Sequence, residues 1–215
     1  MASLTSSWAE DIDHLTIAGW TGRDPDAVQH HIDELAELGV APPSQVPLFY
    51  RVSRSLVTHA DEIEVLGTAN SGEAEPVLVN RDGTLWLGLG SDHTDRELEA
   101  ISVAGGKQAC PKPVATGLWH FDEIEARQDE ILLRCHVEED GAWVPYQDGT
   151  LAAIRPLRSL VEQTGLETGG AMFCGTLAAI GPVRPAKAYR MELIDSRPDR
   201  SIRLEYRVRT LPVVE

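Results

Sequence analysis

Glu73-Ala-Glu75 sets two carboxylates two residues apart in an extended run, and residues so spaced point to one face of a strand. Two like charges held together either face water or share a cation, and the pair alone reads more readily as an ordinary solvated strand face than as a ligand pair. Ser91-Asp92-His93-Thr94-Asp95-Arg96 follows the apolar run Leu85 to Leu89, so Asp92 falls where a strand ends and a helix begins. Three oxygen ligands from adjacent strands would suit a hard divalent ion such as Mg²⁺, which keeps waters and leaves positions open for a substrate. By itself, Asp92 or Thr94 is better explained as a helix cap.

His31-Ile-Asp-Glu34 places an imidazole and a carboxylate at i and i+3 of a helix, where they can hydrogen-bond. A carboxylate that fixes the imidazole tautomer makes it a better base near neutral pH, though the spacing also fits a solvated helix face. His30 has the same chemistry in another direction. Lys107, after Gly105-Gly106, either complements a helix C-terminus or, if close to a metal, stabilises negative charge on a substrate.

The elements that must position these groups are legible in outline. Ile12 to Gly19 reads as a strand. The helix after it has Asp24 as N-cap, Pro25 at its first position, Val28, Ile32 and Leu35 at helical spacing, and Gly39 with Pro42-Pro43 as its stop. Strands follow at Pro47 to Val52, Glu62 to Leu66, Glu73 to Val79 and Leu85 to Leu89. Thr94-Asp-Arg-Glu97 then opens a helix expected from Asp95 to about Gly105. Ile131 to Val137 and Ala142 to Tyr146 form a hairpin about Asp140-Gly141, and a helix spans Pro156 to Gln163. Strands at Ala171 to Cys174, Ala188 to Ile194 and Ile202 to Val208 close the chain. Trp20 to Asp24 and Gly117 to Glu125 read as loops. This order predicts an α+β fold with a rolled or barrel-like, mostly antiparallel sheet. It lacks the alternation and the glycine-rich loops of a doubly wound parallel sheet.

Composition narrows the function. With 34 acidic against 19 basic side chains, a net charge of −15 repels nucleic acid and anionic membranes. An anionic substrate therefore needs a local positive centre. The apolar runs are shorter than a membrane span and the first ten residues lack a signal-peptide pattern, so a cytoplasmic protein is expected. Residues 1–12 are expected to be flexible and 13–215 to form one catalytic domain, with Cys110, Cys135 and Cys174 as buried reduced thiols.

Taken in order, these pieces resemble the fumarylacetoacetate hydrolase superfamily over residues 14 to 195. His31 and Glu34 match its lid pair, Pro47-Leu-Phe-Tyr-Arg51 its apolar strand, Glu73, Glu75 and Asp92 its metal ligands, and Arg96 its arginine four residues on. Lys107 matches the lysine ahead of Cys110-Pro111, and Gly175-Thr176 the Gly-Thr turn. Tyr146-Gln-Asp-Gly-Thr150 also resembles the family's polar turn. The chain departs from the pattern in having Arg51 for lysine and Glu99 for glutamine, and no proline after Gly175-Thr-Leu177. Only 16 residues separate Glu75 from Asp92. The resemblance implies a mixed β-roll of distorted, mostly antiparallel strands, with a short N-terminal lid helix. It further implies a dimer, Mg²⁺ or Mn²⁺ with no organic cofactor, and a small keto acid as the binding partner.

It also implies chemistry on 2-oxo or β-diketo acids through an enolate or carbanion. The leading expectation is hydrolysis of a carbon–carbon bond. His31 with Glu34 would activate water, Lys107 would stabilise the departing carbanion, and Arg96, Glu99, Gly175 and Thr176 would line the substrate subsite. Decarboxylation, tautomerisation or hydration of a 2-oxo acid, or non-catalytic metabolite binding, are the alternatives.

Overall fold

Ala74–Arg81 and Thr84–Ser91 pair antiparallel through the tight turn at Asp82-Gly83, whose positive φ angles suit a two-residue hairpin. This hairpin is the middle of a seven-stranded sheet in the computed structural model, which describes residues 3–5, 7–37 and 41–214, with only the backbone described at 3–5, 31 and 35. The sheet order is Ser3–Thr5, Gly117–His120, Thr84–Ser91, Ala74–Arg81, Gly170–Phe173, His14–Gly19 and Leu48–Val52. A five-stranded sheet runs Ala142–Thr150, Leu132–Glu139, Ala188–Asp195, Arg200–Leu211 and Glu62–Leu66. Most pairings are antiparallel. Those of Gly170–Phe173 with His14–Gly19, of Arg200–Leu211 with Glu62–Leu66 and of Lys112–Pro113 with Val57–Thr58 are parallel.

Side-chain alternation sorts the core into two layers. Leu78, Leu87 and Leu89 pack with Leu133, Cys135, Met191, Leu193 and Leu204 of the five-stranded sheet. Val77, Val79, Ile17 and Phe173, one residue out of phase, instead meet Trp8, Ile12, Val57, Val114 and Leu118. The second layer corrects two expectations. The residues expected to be a flexible terminus are tied down, because Trp8 and Ile12 are buried, Trp8 Nε1 donates to Ala115 O at 2.9 Å, and Ser3–Thr5 pairs with residues 117–119. Gly117 to Glu125 is likewise not a loop. Residues 117–120 form a strand whose Leu118 and Trp119 enter opposite layers, and a 3-10 turn at Phe121–Glu123 follows.

The first helix spans Pro25–Glu37, with Asp24 Oδ1 accepting from the N–H groups of Asp26 and Ala27 at 2.9 and 3.3 Å. Its expected stop at Gly39 lies outside the described residues. The helix expected from Asp95 to Gly105 is two helices, Arg96–Ile101 and Val103–Gln108. Ser102 breaks it by taking an extended backbone (φ −154°, ψ 107°) and accepting at Oγ from Gly105 N, which makes it the N-cap of the second helix. Asp95, not Thr94, caps the first, through Leu98 N. The break turns the chain so that Lys107 is buried against the hairpin end.

Candidate metal centre

At one end of the hairpin the chain brings Glu73, Glu75 and Asp92 together, with ligand oxygens all within 4.8 Å of one another. Glu73 lies just before the strand rather than within it, and is held there by Asp92 N donating to Glu73 O at 3.0 Å. Glu75 and Asp92 are buried. Glu75 Oε2 accepts from Gly175 N at 2.7 Å. Gly175 has φ +100°, and a Cβ there would fall 1.7 Å from Thr21 Oγ1, so this approach demands glycine.

Two lysines flank Asp92, with Lys107 Nζ 2.5 Å from Oδ2 and Lys112 Nζ 3.1 Å from Oδ1. Burial would raise the Asp92 carboxyl's pKa, but the two ammonium groups outweigh it and hold the group well below the usual carboxylate range. Burial would likewise discharge Lys107, but Asp92, Glu73, Glu99 and Glu75 keep it protonated above its ordinary range. Glu75 goes the other way. Burial, then the neighbouring charge of Asp92, pushes its pKa well above the usual value, against the pull of Lys107 and the Gly175 N–H.

This arrangement fits a hard divalent cation. Its donors are oxygens from three carboxylates. Asp92 Oδ1 is buried without a hydrogen bond, because Lys112 sits close but out of line. Four carboxylates, Glu73, Glu75, Asp92 and Glu99, face three cations, Arg96, Lys107 and Lys112, which leaves a deficit of positive charge where the oxygens converge.

The other expected site residues divide. Arg96 donates to Ser71 Oγ at 2.7 Å and to Glu99 Oε2 at 2.7 Å, and its second terminal nitrogen is 3.2 Å from Glu73 Oε1. It therefore orients Glu73, with Glu99 as its counter-ion, while that second terminal nitrogen is buried and makes no hydrogen bond, which leaves Arg96 one unused donor. The Thr176 hydroxyl donates to Ala74 O and accepts from Gln147 Nε2, at 2.7 and 2.6 Å, so only its backbone N–H is without an acceptor among the described residues. The His31 side chain lies outside the described residues, and Glu34 stands 3.3 Å from His30 Nε2. Arg51 lies beside His14, Thr16 and Glu167 on the other face of its strand from Tyr50.

Several groups at the centre went unread in the sequence. Gln147, from the five-stranded sheet, accepts from Ala74 N at 2.9 Å and donates to Thr176 Oγ1 and Leu177 O, so one buried amide ties the segment between the two glutamates to the glycine turn. Lys112 also donates to His93 O at 2.5 Å. Burial and the nearby Lys112 and Arg96 hold the His93 pKa down to about 3, so its ring is neutral. Asn70 Nδ2 donates to Gly67 O, which aims Oδ1 at His93 Nε2 (2.8 Å) and makes Nε2 the protonated nitrogen. His93 Nδ1 then accepts from Tyr206 O–H at 3.0 Å, and Tyr206 accepts from Ser91. Gln147 carried a hint within the polar turn after Tyr146, as did Ser91 and His93 within the polar run around Asp92.

With this geometry in view, comparison with solved structures shows the fold of the fumarylacetoacetate hydrolase superfamily. A 2-keto-3-deoxyarabinonate dehydratase is 14% identical with a TM-score of 0.65, over 94% of this chain and 75% of that one. A fumarylacetoacetate hydrolase from psychrophilic Exiguobacterium antarcticum is 17% identical with a TM-score of 0.63, over 92% and 75%. A 5-carboxymethyl-2-hydroxymuconate delta-isomerase from Mycobacterium smegmatis is 11% identical with a TM-score of 0.63, over 94% and 78%. The chain belongs to the DUF2848 family, described as a protein of unknown function, which it matches over residues 18–206. No curated protein matches it in sequence. Among the described residues no helix is long and apolar enough to cross a membrane.

Proposed function

We propose that the chain is an enzyme that uses Mg²⁺ or Mn²⁺ to hydrolyse a carbon–carbon bond in a small 2-oxo or 1,3-dicarbonyl acid. One observation carries this reading: the carboxylates able to seat a cation share their cluster with a buried, protonated Lys107. Glu73, Glu75 and Asp92 would hold the metal, which supplies Lewis acidity and a template for two adjacent substrate oxygens. Lys107 neutralises negative charge developing on the departing fragment. The Thr176 N–H binds the substrate carboxylate, while Arg96, Ser71 and Gln147 keep the ligand-bearing segments in place. His31, oriented from its own helix by Glu34, accepts the proton of the attacking water.

The deciding experiment screens keto acids for turnover with Mg²⁺ or Mn²⁺, using wild type and Glu75→Ala. Metal-dependent cleavage is expected only in the wild type, and retained turnover in the variant would sink the reading. The dehydratase and isomerase among the structural relatives favour a second reading, in which the same residues serve chemistry without an attacking water. Incorporation of ¹⁸O from solvent into a carboxylate product, with carbonyl exchange controlled, separates the two.

A further inference from the structure

A second cavity lies between the outer strands of the seven-stranded sheet and the turn after the helix Leu157–Thr164, and it shares no residue with the carboxylate cluster. Its volume, about 170 Å³, is room for about five waters at roughly 30 Å³ each. Thr16 and Arg51 stand opposite each other where His14–Gly19 pairs antiparallel with Leu48–Val52, so both project from one face, and His14 shares that face two residues away. Gly170 makes room for the imidazole, since a Cβ there would fall 2.3 Å from His14 Nε2. The facing wall forms where Gly165 takes φ +59° and turns the chain back over the sheet. Asn80 Nδ2 donating to Leu166 O at 2.9 Å, and Gly170 N donating to Glu167 O at 3.0 Å, hold that turn.

The two walls differ in chemistry. On the sheet side, Thr16 is only 3% exposed, yet its hydroxyl has no hydrogen-bond partner among the described residues and borders the cavity instead of being sealed in the core. The Arg51 guanidinium beside it makes no ion pair or hydrogen bond among the described residues, so its planar fork is free to take a carboxylate through two parallel N–H bonds. On the turn side, Glu167 is likewise unpaired. Thr164 Oγ1 donates its proton to Leu160 O and Val161 O, at 2.9 and 3.1 Å, so toward the cavity it can only accept. A lone arginine or glutamate at a surface is ordinary. Here the two oppose each other without pairing, with a buried, unused hydroxyl on the arginine's side.

We propose that this cavity binds a small zwitterion of the α-amino acid class, with its carboxylate on Arg51 and Thr16 and its ammonium group facing Glu167 and Thr164. The site is separate from the metal-centred function and does not depend on it. Neither half of the ligand suffices, because a bare anion would meet the charge of Glu167 and a bare cation that of Arg51. Each charged contact is expected to contribute about tenfold or more in affinity.

The test is calorimetric titration of the full chain with glycine, L-alanine and L-serine, and with acetate, methylammonium and inorganic phosphate as partial mimics. Wild type is expected to bind at least one of the amino acids, with acetate and methylammonium at least about tenfold weaker. Arg51→Gln and Glu167→Gln, both at exposed positions, should each weaken that amino acid about tenfold or more at an unchanged melting temperature. Thr16→Val, which removes the hydroxyl and keeps the branched shape, should weaken it by a smaller factor. The two exposed-position variants decide the matter even if Thr16→Val does not fold. The proposal is overturned if none of the three amino acids binds, or if either exposed-position variant leaves the affinity unchanged. It is also overturned if acetate or phosphate binds as tightly as the best amino acid, which would make this a plain anion site.

Discussion

Two charge clusters in this molecule are built on opposite plans. At the far end of the five-stranded sheet, buried Asp195 has both oxygens bound: both terminal nitrogens of Arg127, Arg200 Nε and the Arg197 N–H all donate to it. Arg200 also meets Glu123 at 3.1 Å and covers the Trp119 ring. Two acids face two arginines there, and the hydrogen bonds close. At the hairpin end, carboxylates outnumber cations, Glu75 is ionised only against its surroundings, and Asp92 keeps a buried oxygen without a hydrogen bond. The first plan holds strands together. The second leaves one carboxyl, Glu75, without a counter-charge, so that it favours its proton until a cation takes the proton's place, and such an unbalanced cluster is a candidate site where a balanced one is a scaffold.

The sharpest break of this contrast is Glu75→Gln, which keeps an acceptor for Gly175 N but removes a charge. Mn²⁺ affinity, measured by calorimetry, should fall by at least about 100-fold, while the melting temperature of the metal-free protein holds or rises. Asp195→Ala should do the reverse. It should destabilise the fold by about 3 kcal/mol in urea titrations, because it strands Arg127 and leaves Arg200 only Glu123, and leave Mn²⁺ affinity within twofold. Equal losses of metal affinity from both substitutions would erase the distinction. A smaller effect is expected of Gly175→Ala, which should cost about 1–3 kcal/mol in strained backbone alone and weaken metal binding by displacing the N–H on Glu75.

The gentlest probe is pH, and the two clusters should respond with opposite sign. Despite its burial, the bonds from Arg127, Arg197 and Arg200 depress the Asp195 pKa, so its stabilisation is present above the unfolded carboxyl pKa and lost as pH falls through the folded one. The raised Glu75 pKa means that the metal-free native state holds a proton the unfolded chain has released, so its contribution wanes as pH rises above the ordinary carboxyl range. Urea midpoints against pH should therefore lose their acid-side slope in Asp195→Asn and their rise-of-pH penalty in Glu75→Gln. Slopes unchanged in both variants would mean that other groups set the profile.

The sequence disclosed whatever its neighbours in the chain decide. Asp24 caps its helix, Asp140-Gly141 turns its hairpin, and Glu73, Glu75 and Asp92 converge, because each depends on local spacing or on one adjacent strand pair. Groups delivered from afar stayed silent. Gln147 reaches Ala74 across 73 positions and Tyr206 reaches Ser91 across 115, and no periodicity encodes such pairings. Polar side chains near the centre also have partners of their own that spacing does not reveal, as Glu99 on Arg96 and the Thr176 hydroxyl on Ala74 show. Ser102 was the exception in the other direction. Its side chain caps the second helix and so breaks a run that helical spacing alone reads as continuous.

The hydrogen-bonded string from Ser91 through Tyr206 and His93 to Asn70 ties the segments around the ligands to a strand near the end of the chain. During synthesis, the hairpin and its sheet neighbours up to residue 173 can assemble well before Tyr206 emerges, because their contacts are available earlier. The centre cannot be locked until that late residue arrives. A centre able to seat a divalent ion would therefore be completed only after residue 206 has emerged, and until then the nascent chain exposes paired strands without it.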